Sequence, residues 1–161
     1  MENNAKLLEI KNLTVQYKTD LDTVHAVNSL DLELDYQETL GLVGETGAGK
    51  TTTALSILRL LPQPVGQIIS GEIRFEGEDL LKKSELEMRL IRGDKISMIF
   101  QDPMTSLNPI MTVGDQIYEV LSLHNVHNLT KKQMYDRVNE VLELVGIPSA
   151  RRNEYPHQFS G

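Results

Sequence analysis

The stretch "GETGAGKT", Gly44 to Thr51, constrains this chain more than any other feature. A short apolar run, "TLGLV", precedes it, and "TTALSILRLL", with apolar residues at helical spacing, follows it. A strand must therefore give way to a helix across a glycine-rich turn, which places the chain among α/β folds. The spacing also matches G-x-x-x-x-G-K-[ST], a loop that cradles phosphate.

The chemistry asks for these residue types. Phosphates concentrate negative charge, and successive backbone N–H groups wrap them only where side chains stay clear, hence Gly44, Gly47 and Gly49. The helix N-terminus adds its dipole and unpaired donors. Lys50 reaches β- and γ-phosphates, and the Thr51 hydroxyl is placed to ligate Mg²⁺. Thr52 supports the α-phosphate side. Glu45, Thr46 and Ala48 offer chiefly their backbone N–H groups. The plain alternative is a glycine-rich turn joining strand to helix.

Upstream, "LLEIKNLTVQY" alternates at Leu8, Ile10, Leu13, Val15 and Tyr17, with a slip near Lys11. "VHAVNSLDLEL" alternates at Leu30, Leu32 and Leu34, so two antiparallel strands around "KTDLD" are predicted. Pro62 and Pro64 are expected to stop the helix after the loop. "SGEIRFEGEDL" predicts a strand between Gly71 and Gly77. "SELEMRLIR" opens with a capping box, Ser84 and Glu87, and takes its apolar face from Leu86 and Leu90. Gly93 suits the cap of that helix. "KISMIF" predicts a buried strand, and "QDPMTSLNPIM" a loop.

Helices then dominate. Val113, Ile117, Val120 and Leu121 mark one helical face. A second capping box, Thr130 and Gln133, opens a helix whose stripe runs through Met134, Val138, Val141, Leu142 and Val145 to a stop at Gly146 and Pro148. His124 and His127 are expected to share a helix face, with no third metal ligand apparent nearby.

Composition bounds the function. The 161 residues suit one domain, and a formal net charge of −7 argues against a broad nucleic-acid footprint. Without cysteine there is neither disulfide nor thiolate metal site. The N-terminus lacks the basic start and apolar run of a signal peptide, and no apolar stretch approaches the ~20 residues of a membrane span, so a cytosolic chain is expected.

Two further segments carry a resemblance. "MIFQDPMTSLNP" lies downstream of Lys50, and its glutamine directly after a predicted strand resembles the Q-loop of ABC-type ATPases. "HQFSG" resembles the opening of the ABC signature, and it follows a helical block as that family's order requires. "FQDPMTSLNP" and "YPHQFSG" are most similar to ATP-binding subunits of dipeptide, oligopeptide and nickel importers. The resemblance covers essentially the whole chain. It implies a P-loop NTPase of the ABC type with an N-terminal antiparallel β-subdomain, a partial mixed or parallel core sheet and a helical subdomain. Residues 1–102 would hold the β-subdomain and part of the P-loop core, and residues 103–161 the Q-loop and helical subdomain up to the signature.

By the same resemblance Tyr17 stacks on adenine, although a plain aromatic on the sheet surface is the competing reading. Gln101 ligates Mg²⁺ and feels the γ-phosphate, or simply starts a loop. Asp102 to Pro109 faces transmembrane permease subunits, or is plain surface. Ser160 and Gly161 donate to the γ-phosphate of ATP held by a second ATP-binding subunit, in a homo- or heterodimer. An extracytoplasmic solute-binding protein takes part indirectly, nucleic acid does not, and the subunit sits peripherally on the cytoplasmic face of the membrane. One departure is Gln37, where the family usually has glycine at the turn before the P-loop strand.

The Walker B strand, its adjacent glutamate and the switch histidine follow the signature in this family, and no apolar run ending in Asp-Glu occurs before Gly161. The chain alone is therefore expected to hydrolyse little or no ATP and to be marginally stable. Other P-loop classes fit less well: the N-K-x-D element of guanine readers is absent. A soluble ABC protein of translation or DNA repair, and a non-enzymatic nucleotide-binding fragment, are the remaining alternatives.

Overall fold

The computed structural model describes residues 6–125 and 127–159. The chain divides into two compact units, Met1–Arg92 and Gly93–Gly161.

The first unit is built on one sheet. Strand β1 (Leu8–Lys18) pairs antiparallel with β2 (Thr23–Leu34) on one side and with β3 (Gly66–Phe75) on the other, and the short β4 (Glu78–Asp79) extends β3. The order is β2-β1-β3-β4. Leu8, Ile10, Leu13 and Val15 of β1 are buried with Val27 of β2 and Ile73 of β3. Each such side chain contributes about 1.5–3 kcal/mol by leaving water.

The slip near Lys11 is a β-bulge. Register shifts between Ile10 and Leu13 against β2 and between Lys11 and Thr14 against β3, and Asn12 takes φ 49. The extra residue restores the inward aim of Leu13 and Val15. Gly71 faces the bulge, where a Cβ would sit 2.6 Å from Leu13 Cα and 2.7 Å from the Lys11 carbonyl oxygen. Gly71 therefore lies inside a longer β3 rather than at its start.

Helix α1 (Lys50–Ile57) follows the glycine-rich loop but stops well short of Pro62. Leu58 and Leu61 are both buried, and between them Arg59 turns to φ 53 and donates to the carbonyls of Leu80 and Lys83. Anchoring of two leucines and one arginine ends the helix before proline chemistry is needed.

Helix α2 (Glu85–Ile91) begins at the Ser84–Glu87 capping box, and Gly93 follows its end at φ 86. Its buried residue is Met88. Leu86 and Leu90, expected to form the apolar face, are 72% and 69% exposed.

Two predicted strands do not form. Residues 39–44 ("TLGLVG") and 97–100 of "KISMIF" have no strand pairing, and Ile96 makes only an isolated bridge, with the Gly93 N–H donating to its carbonyl. Leu40, Leu42, Val43, Ile99 and Phe100 are all exposed. A strand exists through its ladder, and neither segment meets a partner among the described residues, so the expected mixed or parallel core sheet has no ladder there. The α/β P-loop arrangement stands, carried by the loop and α1.

In the second unit, α3 (Val113–Leu123) starts at the Thr112 cap, and α4 (Lys131–Leu144) at the Thr130–Gln133 capping box. Met134, Val138 and Leu142 are the buried stripe of α4, while Val145 lies beyond the helix and Val120 is half-exposed. Gly114 lets α3 pack directly on the turn at Ser149–Asn153: a Cβ there would lie 2.7 Å from the Arg152 carbonyl oxygen. Tyr118 stacks on Tyr135 at 4.7 Å. His124 caps the end of α3 and His127 lies beyond it in a turn, so they share no helix face. Among the described residues no helix is long and apolar enough to cross a membrane.

Candidate functional site

The loop from Gly44 to Gly49 closes on itself through an Ala48 N–H to Glu45 carbonyl bond of 3.1 Å. Gly49 is the cap of α1 at φ 81, a conformation that favours glycine. It also has no room for a side chain, since a Cβ would lie 2.3 Å from the Ala26 carbonyl oxygen and 3.3 Å from Val27 Cγ2. The helix start is thereby seated on the backbone of β2.

Helices α2, α3 and α4 each have a hydroxyl cap, whereas α1 has no side-chain cap and no acidic residue in its first turn. Its first N–H groups have no intrahelical acceptor and carry the positive end of the helix dipole. Lys50 Nζ donates to the carbonyls of Gly44 and Glu45, both at 2.6 Å, so its ammonium lies over the loop mouth. Thr51 is exposed, and its hydroxyl has no hydrogen-bond partner among the described residues. Thr53 and Ser56 return their hydroxyls to the carbonyls of Gly49 and Thr52, at 3.0 and 2.7 Å.

Tyr17 comes from the far end of β1. It is half-buried, and its hydroxyl lies 3.2 Å from Thr52 Oγ1. The first unit thus brings together Tyr17 and all of Gly44, Glu45, Thr46, Gly47, Ala48, Gly49, Lys50, Thr51 and Thr52. Gln101 belongs to the second unit, exposed at a bend, followed by a Thr105 hydroxyl to Asp102 carbonyl bond of 2.8 Å. Ser160 and Gly161 lie outside the described residues.

Motif reading missed the wall opposite the loop. A cleft of about 530 Å³ is lined by His25, Ala26, Val27, Asn28 and Leu30 of β2 together with Leu42, Val43, Gly47, Ala48 and Lys50. Gln16 Nε2 and His25 Nδ1 lie 3.0 Å apart across the β1–β2 ladder. Only strand register places these residues beside the loop, and no local pattern announces it. A second depression of about 460 Å³, bordered by Arg59, Gln63, Leu81 and Glu85 among others, contains none of the loop residues.

The residues present fit a polyphosphate with a divalent cation. Bare Cα atoms and unpaired N–H donors form the cradle, Lys50 supplies the charge, and the Thr51 hydroxyl is available as an oxygen ligand.

Comparison with known proteins supplies the chain's relatives and its family. The oligopeptide transport ATP-binding protein OppD of Bacillus subtilis (strain 168) is 50% identical over 159 residues, which is 98% of this chain and 44% of that protein. The dipeptide transport ATP-binding protein DppD of the same organism is 48% identical over 158 residues, 97% of this chain and 47% of that protein. The chain spans less than half the length of these relatives. The fold is that of the ATP-binding cassette MJ0796, solved as a dimer in a post-hydrolysis state bound to ADP and Pi, with a TM-score of 0.81 at 24% identity over 95% of this chain and 63% of that one. The family model described as ABC transporter matches residues 27–161, from the β2 wall of the cleft through the loop and onward, and the chain belongs to that family.

Proposed function

We propose that this chain is the nucleotide-binding part of an ATP-binding subunit that powers import of di- or oligopeptides. The carrying observation is the loop: an uncapped helix start seated on β2, with the Lys50 ammonium over its mouth. On this reading ATP is the ligand. Lys50 meets the β- and γ-phosphates, the backbone of 44–49 wraps them, and Thr52 borders the α-phosphate. Thr51 and Gln101 hold Mg²⁺, and Tyr17 stacks on adenine. Ser160 and Gly161 serve the ATP of a second ATP-binding subunit. Binding of ATP favours the closed pair, and closure works on transmembrane permease subunits at the cytoplasmic membrane face. A solute-binding protein outside the membrane selects the cargo.

Peptides are favoured as cargo because OppD and DppD are named for oligopeptide and dipeptide transport. The net charge of −7 supports the absence of a nucleic-acid partner. We read the isolated chain as hydrolysis-deficient, because its sequence contains no apolar run ending in Asp-Glu.

Competition binding with Mg²⁺-ATP and Mg²⁺-GTP, alongside phosphate release, tests this reading. Binding of ATP without turnover is expected. Turnover above background that disappears in Lys50→Ala would overturn the hydrolysis part, and failure to bind either nucleotide would overturn the whole.

A further inference from the structure

The position opposite Tyr17 in the β1–β3 ladder is Gly66. Its φ does not lie in the left-handed region, so its backbone does not demand glycine. Space does. A Cβ on Gly66 would lie 3.1 Å from Tyr17 Cε1, 3.0 Å from Leu61 Cβ and 3.2 Å from the Pro62 carbonyl oxygen. The Gly66 N–H donates to that same carbonyl at 2.6 Å, and Lys18 N–H donates to the Val65 carbonyl at 2.8 Å, so the strand start cannot drift from the ring. Glycine in a strand marks close approach by another group, and here the first residue of β3 meets the Tyr17 ring edge together with Leu61 Cβ and the Pro62 carbonyl.

The Tyr17 ring is therefore held at two points: its edge against the bare Cα of Gly66, and its hydroxyl against Thr52 Oγ1. Thr52 belongs to the first turn of α1, the helix that opens from the proposed phosphate loop. One contact ties the ring to the sheet and the other ties it to the phosphate loop.

We propose that Gly66 is a positioning residue for base recognition: its missing side chain lets the Tyr17 ring lie where it offers a face to the base of a nucleotide whose phosphates sit on the loop. The inference rests on the nucleotide reading above. A side chain at 66 rotates or lifts the ring, and the base loses its platform while the phosphate cradle, built from residues 44–52, is untouched.

The test separates base from phosphate. Affinity for ATP and for inorganic tripolyphosphate, each with Mg²⁺, is measured on the unaltered chain, Gly66→Val, Tyr17→Ala and the double variant. Stacking of a base on an aromatic ring is worth about 1–3 kcal/mol, so Gly66→Val is expected to weaken ATP by roughly five- to 150-fold. Tripolyphosphate affinity should stay within about twofold, which also reports an intact fold. In the Tyr17→Ala background, Gly66→Val should cost nothing further. Should valine prevent folding, Gly66→Ala asks its neighbours to yield by only tenths of an ångström and carries the same comparison with a loss of about twofold. Equal losses of ATP and tripolyphosphate, an unchanged ATP affinity, or a loss that persists without Tyr17 would each overturn the inference. An unaltered chain that binds tripolyphosphate and no ATP overturns it too, whereas one that binds neither overturns the nucleotide reading beneath it.

Discussion

Gln37→Gly should stabilise the chain. Residues Asp35 to Glu38 form a turn closed by the Glu38 N–H on the Asp35 carbonyl at 3.3 Å and by the Asp35 N–H on Glu38 Oε2 at 2.7 Å. Gln37 occupies its third position at φ 62, while Tyr36 before it keeps a negative φ. That is the pattern of a type II turn, whose third position favours glycine. A side chain held in the left-handed region costs about 1–2 kcal/mol. Glycine returns about 0.5–1 kcal/mol of that through its greater freedom in the unfolded chain. Gln37 is exposed and its side chain makes no hydrogen bond among the described residues, so nothing else is lost. The net gain is about 0.5–1 kcal/mol, or roughly 2–4 °C in Tm at the upper end for a chain of this size. Urea unfolding followed by far-ultraviolet circular dichroism measures it as a higher midpoint at unchanged slope. Gln37→Ala is the control, because alanine bears the same backbone penalty and should gain nothing. Equal stability of the glycine and glutamine forms would refute a strained turn, as would an alanine form as stable as the glycine form.

Other substitutions read other parts of the structure. Gly49→Ala places a methyl 2.3 Å from the Ala26 carbonyl oxygen at a left-handed φ, so α1 must shift off β2; a loss of at least 1–2 kcal/mol, about the backbone term alone, is expected in unfolding, with ATP binding weakened more than about tenfold. Met88→Ala should cost about 2–5 kcal/mol in the same assay, whereas Leu86→Ala, two residues away and 72% exposed, should stay within about 0.5 kcal/mol. The Glu87 carboxyl is held below its ordinary range because the Ser84 hydroxyl and then the Ser84 N–H donate to it. Its folded pKa is depressed, so its contribution is present above the unfolded value of about 4.3 and is lost as pH falls through the folded one. Amide exchange in α2 should accelerate, relative to the intrinsic rate, as pH drops below about 4, and Glu87→Gln, which keeps an acceptor in the box, should weaken that dependence, leaving the part carried by Glu85, whose pairing with Arg92 also holds its carboxyl low.

Local chemistry was the legible part of this chain. The two capping boxes at Ser84–Glu87 and Thr130–Gln133, the β1–β2 hairpin and the loop opening α1 all depend on residues within a few positions of one another, and all lie where the sequence places them. The slip at Lys11 was visible as an irregularity, but its meaning as a bulge depends on Gly71, sixty residues away. Segments 39–44 and 95–100 carry strand-like apolar runs, yet apolar composition cannot supply a hydrogen-bonding partner. Leu86 and Leu90 satisfy helical spacing, and only the shape of the surrounding unit decides that Met88 is buried instead. At the site, the glycines and Lys50 announce themselves. The β2 wall and the Gly66 contact with Tyr17 do not, because each arises from strand register rather than from a motif.

The central claim is that Gly44–Thr52 is a phosphate-binding loop whose charge comes from Lys50. Titration calorimetry of Mg²⁺-ATP into the unaltered chain and into Lys50→Ala tests it directly. Charge-assisted hydrogen bonds to phosphate are worth about 1.5–3 kcal/mol, so the account predicts saturable binding weakened by roughly ten- to a hundredfold in the alanine form. Equal affinity in the two chains, or no saturable binding by the unaltered one, would contradict it.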